Sequence, residues 1–348
     1  MTKMESEILR IDGLVKWYSK KSGVYPRKVT NLRAVDGVTL SVRRGETLGV
    51  VGESGCGKTT LARTVMRLTR PTSGSIFFEG ADIASLDGRS LRPYRRKMQM
   101  VFQDPYASLD PRQNVRSAIT EPIAIHRLAG RTEANRMAAD LVSEVGLNAD
   151  HLSRFPHEFS GGQRQRIALA IALAVRPDFM VLDEPTSSLD VSVQAQMLSL
   201  LRKLQKGRAL TYMFISHNLA VIREVSDRVA VMYLGRVVEI APTGRLFSNP
   251  KHPYTMALLS SIPIPDPAKR KELLPLSGDV PSPVDLPSGC RFRTRCAYAT
   301  EKCAALSPPL VEVEKDHWVE CLYDIDAASS NAVELGAAAG PERALKPT

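Results

Sequence analysis

The sequence predicts an α/β fold with a largely parallel sheet, and three observations support that prediction. Short apolar runs rich in β-branched residues recur along the chain, each bounded by polar or turn residues, as buried strands are. Helical patterns alternate with these runs, which is typical of α/β proteins. The length of 348 residues, 43% of them hydrophobic, suffices for about two domains with sizeable cores.

Four of the apolar runs are predicted to be core strands, with helical patterns between them. The clearest helical pattern follows Gly161, where Ile167, Ile171 and Ala174 recur at helical spacing and Pro177 marks the end. The predicted core strands are residues 47–53, 179–185, 211–217 and 228–235.

The character of the chain changes along its length, which predicts how it divides into domains. The interval from Asp104 to His157 is mostly helical and is interpreted as an insertion into the α/β core. Seven prolines between Pro263 and Pro287 indicate a linker or an extended wrapping segment. The predicted divisions are an α/β domain at 1–250 with a helical part at about 104–175, an extension at 251–326, and a disordered tail at 327–348.

Composition and charge exclude some classes of protein. No uninterrupted apolar run is long enough for a membrane-spanning helix, and the N-terminus lacks the basic start and apolar run of a signal peptide. We therefore expect a cytosolic, reducing environment. The net charge of +10 comes from scattered residues and does not by itself indicate a nucleic-acid partner.

A glycine-rich loop follows the first predicted core strand. "GESGCGKTT" fits the pattern G-x-x-x-x-G-K-[ST] and precedes a helical run, so its backbone N–H groups and the helix N-terminus would face phosphate oxygens. Lys58 is expected to reach the β- and γ-phosphates, and Thr59 to ligate Mg²⁺. The predicted ATP-binding residues of the loop are Gly52, Ser54, Gly55, Cys56, Gly57, Lys58, Thr59 and Thr60.

Two acids stand at the end of another predicted strand, "FMVLDEP". Burying carboxylates at the tip of an apolar strand is costly unless they have a partner. Mg²⁺ is the expected partner of Asp183, and Glu184 is placed to polarise an attacking water. Together with the glycine-rich loop, these acids predict nucleotide hydrolysis.

Further motifs resemble those of ATP-binding cassette (ABC) ATPases, in order and spacing, over residues 8 to about 245. "FSGGQ" resembles their signature motif, while "VFQDP", "SSLD" and "FISHN" resemble their Q-loop, D-loop and switch-histidine motifs. Tyr18 lies where the family stacks an aromatic ring on adenine, with neighbouring Trp17 as the alternative. The other matching residues are Gln103, Ser160, Gly161, Gly162, Gln163, Asp190 and His217.

The resemblance implies an ABC-type P-loop domain, with a RecA-like core and a helical subdomain, that works as a head-to-tail dimer. ATP would lie between the phosphate loop of one subunit and the signature motif, Ser160 to Gln163, of the other. Gln103 would join Thr59 and Asp183 at Mg²⁺ and link the site to the helical subdomain, whose surface in this family faces membrane subunits. The catalytic set would be Glu184, Gln103 and His217, with His217 touching the γ-phosphate.

A closer resemblance, to the ATP-binding subunits of bacterial dipeptide/oligopeptide importers, covers nearly the whole chain except the last twenty or so residues. It is carried by "QDPYASLDPR", "LDVSVQAQ", "NPKHPYTMALLSSIPIPDP" and "LPSGCRFRTRC". It implies a peripheral location at the cytoplasmic face of the inner membrane. The implied partners are a second cassette, paralogous or identical, two integral-membrane permease subunits and an extracytoplasmic substrate-binding protein. The substrate class stays open among dipeptides, longer peptides, glutathione and nickel.

Four of the five cysteines lie near the C-terminus, at the spacing C-x5-C-x6-C-x17-C. This spacing matches neither zinc ribbons nor ferredoxins, so it indicates only four soft thiolate ligands for zinc or an iron–sulfur centre. The family resemblance implies a [4Fe–4S] cluster. Because the cysteines are remote in sequence from the ATPase motifs, a structural rather than catalytic role is expected. Arg291, Arg293 and Arg295 are expected to offset its charge, and His317 is a possible substitute ligand. The four cysteines are Cys290, Cys296, Cys303 and Cys321.

Two other functions are alternatives to transport. An ABC-type ATPase acting on DNA or the ribosome usually has two cassettes in one chain, or coiled-coil or zinc insertions, whereas this chain has one cassette and an importer-like extension. A non-catalytic partner cassette is disfavoured because Lys58, Ser160, Asp183, Glu184 and His217 are all present.

Overall fold

The computed structural model describes residues 6–22, 28–104, 109–261 and 278–322. The strands are β1 (Glu7–Ser22), β2 (Lys28–Arg43), β3 (Thr47–Val51), β4 (Ser73–Phe78), β5 (Ala81–Asp82), β6 (Met98–Val101), β7 (Phe179–Asp183), β8 (Thr211–Ile215), β9 (Arg228–Tyr233), β10 (Arg236–Pro242), β11 (Val311–Glu314) and β12 (His317–Val319). The helices are α1 (Lys58–Val65), α2 (Arg92–Lys97), α3 (Val115–Ile125), α4 (Arg131–Glu144), α5 (Gly161–Leu173), α6 (Val191–Arg208), α7 (Leu219–Val225), α8 (Thr243–Ser248), α9 (Pro253–Ser260) and α10 (Glu301–Ala305).

The central sheet has eight strands in the order β11-β12-β10-β9-β3-β8-β7-β6. The five from β9 to β6 are parallel, and every residue of β3, β7, β8 and β9 is buried. Burial on both faces explains why these strands appear in the sequence as continuous apolar runs. Each of the four predicted strands ends two residues early. The residues after β3, β7 and β8 enter the loops of the site, and those after β9 form the turn to β10.

A second sheet is antiparallel, with the order β2-β1-β4-β5. The expectation of a largely parallel sheet therefore holds for the core of the molecule and is wrong for this part. The 16-residue strands β1 and β2 pair along their length with several register shifts, and β1 buries Leu9, Ile11 and Leu14. Exposed polar residues between the buried ones weaken the apolar signal by which such strands are recognised.

The predicted insertion is helical where the structure describes it. Helix α3 buries Val115, Ile119 and Ile123 at spacings of four residues, and it packs against α4 and α5. Two short 3₁₀ turns, at Ala149–Ser153 and Pro156–Glu158, lead into α5. Residues 105–108 of this interval lie outside the described residues.

The C-terminal extension adds strands to the central sheet. Strand β12 pairs antiparallel with β10, and β11 pairs with β12 to form the sheet edge. Where they join, His317 Nε2 lies 2.7 Å from Glu239 Oε1, with both side chains fully buried. The predicted tail at 327–348 and most of the proline-rich segment lie outside the described residues. Among the residues described, no helix is both long and apolar enough to cross a bilayer.

Candidate functional site: a phosphate loop joined to a cysteine cavity

The phosphate loop connects β3 to α1, and two of its glycines are required by its shape. Gly57 has a φ of 109°, and a Cβ there would lie 2.1 Å from the Ala34 carbonyl oxygen. Gly55 has a φ of 78°. Residues with a side chain rarely adopt these left-handed backbone conformations. Glycine therefore permits the turn that brings the N-terminus of α1 to face the loop.

Lys58 begins α1, and its side chain lies inside the loop with only 6% of its surface exposed. Its ammonium donates to the carbonyl of Gly52 at 2.7 Å and to that of Glu53 at 2.9 Å. The loop backbone thus sets the position of the charge that the sequence assigns to phosphate binding. Cys56 is buried against Lys58, and burial raises the pKa of its thiol, which disfavours the reactive thiolate.

Asp183, at the end of β7, meets the first turn of α1. Its Oδ1 accepts a hydrogen bond from Thr59 Oγ1 at 3.2 Å. Burial raises the pKa of the Asp183 carboxyl, and the nearby Glu184 charge adds to this effect. A hard cation would stabilise the charge of a buried carboxylate. The carboxylate of Asp183 and the hydroxyl of Thr59 both offer the oxygen ligands that Mg²⁺ prefers. The pair therefore fits the predicted metal role.

The Glu184 carboxylate contacts two side chains from distant parts of the sequence. Gln103 Nε2 donates to its Oε2 at 3.0 Å, and His217 Nδ1 lies 3.0 Å from its Oε1. The Glu184 backbone has a φ of 48°, a strained conformation for a residue other than glycine, and its N–H donates to the Ile215 carbonyl. All three predicted catalytic residues therefore meet at one carboxylate.

The signature and D-loop residues begin two neighbouring helices. Ser160 and Gln163 form a reciprocal capping box at the start of α5, and Asp190 Oδ1 accepts the Val193 N–H at the start of α6. A Cβ on Gly162 would lie 2.7 Å from the Val193 side chain, so the two helix starts pack tightly. Within the described part of the chain, no hydrogen bond joins residues 160–163 to the phosphate loop.

The two aromatic candidates for adenine differ in their surroundings. Tyr18 is 41% exposed, with the Lys16 ammonium 4.8 Å from its ring centre. Trp17 donates from Nε1 to Asp36 at 3.0 Å and carries the Arg33 guanidinium over its ring. The Tyr18 ring is the more accessible of the two.

The four C-terminal cysteines line one small cavity, together with His252 of the "HPYT" motif and Arg293. Burial raises the pKa of the Cys290 thiol and brings that of Cys296 to about 11, and the neighbouring cysteines add to both shifts. None of the five cysteines forms a disulfide. Over residues 6–22, 28–104, 109–261 and 278–322, no three acidic, histidine or cysteine side chains are arranged to hold a single metal ion.

Several expectations about this region are wrong. His317 does not line the cavity, because it is paired with Glu239 in the sheet. The histidine that lines the cavity is His252. Arg291 pairs with Asp36 and Arg295 with Glu53, so neither side chain is directed at the cysteines, and only Arg293 lines the cavity. The cysteines are remote in sequence from the ATPase motifs, yet Arg295, directly before Cys296, contacts Glu53 of the phosphate loop.

Sequence reasoning missed these two ion pairs and also Tyr254, whose hydroxyl accepts the Glu53 N–H at 2.9 Å. Tyr254 lies in "NPKHPYTMALLSSIPIPDP", a stretch that carries the resemblance to peptide importers, and that resemblance is a usable signal for it. The partners of Arg291 and Arg295 lie 255 and 242 residues away in the sequence, and no local pattern marks them.

Comparisons with known proteins agree with the geometry of the site. The family model described as ABC transporter matches residues 35–187, and the one described as oligopeptide/dipeptide transporter, C-terminal region, matches residues 238–303. A probable peptide ABC transporter ATP-binding protein of Sinorhizobium fredii is 49% identical over 328 residues, covering 94% of this chain and 93% of the relative. A putative oligopeptide transport ATP-binding protein of Bacillus subtilis is 53% identical over 298 residues, covering 84% and 90%.

A solved structure extends the comparison to a cassette with products bound. It is the dimeric, post-hydrolysis state of an ATP-binding cassette with ADP and phosphate, 26% identical, with a TM-score of 0.60 over 68% of this chain and 98% of that one. The chain belongs to the ATP-binding proteins of peptide-type ABC transporters. It has the ABC ATPase fold, and its enzymatic class is that of an ATP-hydrolysing cassette.

Proposed function

We propose that this chain energises peptide import by hydrolysing ATP at the loop between β3 and α1. The observation that carries the proposal is the meeting of Gln103 and His217 at Glu184, beside the Thr59–Asp183 pair. The match of residues 238–303 to the oligopeptide/dipeptide transporter region supports the peptide class of cargo. A peripheral position at the cytoplasmic face of the membrane follows from that role.

The proposed mechanism assigns one task to each group. Lys58 and the loop N–H groups hold the phosphates, and Tyr18 stacks on adenine. Thr59, Asp183 and Gln103 would hold Mg²⁺, which supplies charge neutralisation on the β- and γ-phosphates. Glu184 accepts a proton from water, the water oxygen bonds to the γ-phosphorus, and the bond to the β-phosphate oxygen breaks. His217 holds Glu184 and contacts the γ-phosphate.

A head-to-tail dimer completes the proposed site. Ser160 and Gly161 are exposed at the start of α5, where N–H groups and the positive helix end can meet the γ-phosphate bound to a partner cassette. The dimeric cassette with ADP and phosphate, to which this chain is similar, supports that arrangement. The partner is a second cassette, paralogous or identical.

The proposed division of the chain follows from these roles. Residues 1–250 form the ATPase domain, with the helical subdomain at about 104–175 directed toward two integral-membrane permease subunits. Residues 251–326 form the extension that marks this importer family, and a substrate-binding protein completes the transporter outside the membrane. Strands β11 and β12 extend the sheet of the ATPase domain, which supports a fixed position of the extension on that domain.

The four-cysteine cavity is proposed to hold a [4Fe–4S] cluster through Cys290, Cys296, Cys303 and Cys321. Four thiols that line one cavity, with no carboxylate among its lining residues, form a soft donor set that suits such a cluster. Zinc suits the cavity less well, because no three of these side chains stand close enough for one ion. The cluster would fix the fold of the extension, and no step of ATP hydrolysis passes through it.

Purification of the chain from membranes under anaerobic conditions tests this function. We expect mass spectrometry to find two integral-membrane subunits and a cassette partner, and iron and sulfide analysis to find about four of each per chain. The matched control is the variant with Cys296→Ser, which should lose iron but keep the membrane subunits. Nucleic acid in place of membrane subunits would refute the transport role, and an iron-free preparation would refute the cluster.

A further inference from the structure

The segment from Cys290 to Cys296 contacts both the cysteine cavity and the ATPase domain. Its first and last residues line the cysteine cavity, while Arg291 and Arg295, directly beside them, extend toward the ATPase domain. Arg295 forms a two-pronged ion pair with Glu53, through Nη1 to Oε2 at 2.7 Å and Nη2 to Oε1 at 3.1 Å. The Arg295 side chain is 5% exposed and that of Glu53 is 22% exposed, so the pair is partly shielded from solvent.

Glu53 is the first variable residue of the phosphate loop, and three different groups hold it. Arg295 holds its carboxylate, the Tyr254 hydroxyl accepts its backbone N–H at 2.9 Å, and the Lys58 ammonium donates to its carbonyl oxygen at 2.9 Å. The extension therefore contacts the side chain and the backbone N–H of the residue whose carbonyl oxygen accepts from the phosphate-binding lysine. A displacement of Arg295 would therefore change the position of the Lys58 ammonium through Glu53.

Arg291 makes the corresponding contact near the adenine end of the site. It ion-pairs with Asp36 and donates to the Leu234 carbonyl. The other oxygen of Asp36 accepts the Trp17 Nε1–H at 3.0 Å, and Trp17 precedes the exposed Tyr18 in β1. The same short segment thus supports both the phosphate loop and the strand that carries the adenine candidate.

We propose that Arg295, assisted by Arg291, is a positioning residue for ATP, so that the state of the cysteine cavity and the affinity for nucleotide are thermodynamically coupled. The coupling rests on the proposed nucleotide site but goes beyond it, because it gives the extension a role in ATP binding. Any change that moves Cys290 or Cys296, whether metal loading, oxidation or alkylation, moves the backbone of the adjacent arginines. Linkage requires that nucleotide, in turn, alters the cavity.

The first test compares nucleotide affinity in matched variants, by equilibrium titration with a fluorescent ATP analogue. Arg295→Ala should weaken binding about tenfold, a coupling within the range usual for two linked sites. Arg295→Lys should recover part of the loss, and Lys302→Ala, which removes an exposed cation of the same extension, should leave affinity unchanged. We expect the change in KM to exceed the change in kcat. An Arg295→Ala protein that melts normally and binds nucleotide as the unmodified chain does would overturn the proposal.

The second test needs no substitution. The metal-free chain is alkylated with and without ATP and Mg²⁺, and mass spectrometry resolves the rate at each cysteine. Nucleotide should slow modification of Cys290 and Cys296 through the coupling. Equal rates at both cysteines with and without ATP, in a chain that binds the fluorescent analogue in the first test, would overturn the coupling while leaving the nucleotide site intact. Failure of the chain to bind the analogue at all would overturn the nucleotide site itself.

Discussion

Lys58 shows at the residue scale how much of the site depends on one buried charge. Its ammonium is held by two carbonyl groups of the loop and has almost no access to solvent. Such a group is placed in advance for an anionic ligand, so that little rearrangement is required on binding. A glycine-rich loop followed by lysine is recognisable in the sequence because its geometry needs those residue types and few others.

Replacing that lysine should weaken nucleotide binding itself. A hydrogen bond to a charged group contributes about 1.5–3 kcal/mol, so Lys58→Ala should raise the Kd for an ATP analogue at least about tenfold. Lys206→Ala, on the exposed face of α6, is the control and should leave Kd unchanged. An unaltered Kd in Lys58→Ala, measured by equilibrium titration, would remove Lys58 from its assigned role.

The residues that the sequence could not place are those whose partners are distant in the chain. Gln103, Glu184 and His217 were identified because each lies in a short motif, and the structure brings them together. Sequence alone assigns Arg291 and Arg295 to the cysteines, because these are their neighbours along the chain. Their actual partners, Asp36 and Glu53, belong to the ATPase domain, and only the folded chain shows the pairing.

At the scale of elements, an aromatic cluster attaches the extension to the ATPase domain. The ring of Phe292 lies 5.3 Å from that of Tyr233 in β9 and 5.4 Å from that of Tyr254 in α9. Phe292 is buried between β9 and α9, so its packing stabilises the contact between the extension and the ATPase domain. The extension should therefore unfold together with the domain.

Phe292→Ala should destabilise this contact strongly. Truncating a buried phenylalanine costs about 3–5 kcal/mol, which we expect to appear as a lower midpoint in urea denaturation. Leu306→Ala, in an exposed position of the same extension, should change the free energy of unfolding by less than about 0.5 kcal/mol. Equal effects from the two substitutions would show that the aromatic cluster does not attach the extension.

The elements differ in how well the sequence predicted them, for a reason rooted in burial. The parallel strands β3, β7, β8 and β9 are wholly buried, and their uninterrupted apolar residues made them evident. The antiparallel strands β1, β2 and β11 each have exposed residues. In β11 all four residues are exposed, so nothing apolar distinguishes it from a loop.

At the scale of the whole molecule, the starts of α5 and α6 form one continuous exposed face. Ser160 and Gly161 are exposed there, and Val191, directly after Asp190, is 84% exposed. The N–H groups at these two neighbouring helix starts are suited to an anion bound by a partner. We assign this face to the proposed contact between two cassettes.

A charge on that face should oppose dimer formation. Val191→Asp would bury an unpaired carboxylate in the contact, and we expect the ATP-dependent dimer to weaken at least about tenfold. Light scattering with and without ATP measures this, and Leu68→Asp, at another exposed apolar position, is the control. Should Val191→Asp dimerise as well as the control, the face assigned to the contact would be wrong.

The most direct measurement of the central claim compares ATP turnover with ATP binding in Glu184→Gln. The amide keeps the shape of the side chain but cannot accept the proton from water, so turnover should fall by about a hundredfold or more, the usual contribution of a general base. Because Glu184 acts on the water, ATP affinity should be retained. Exposed Glu301→Gln is the control for both assays. Substantial residual hydrolysis in Glu184→Gln, with binding intact, would contradict the proposed mechanism.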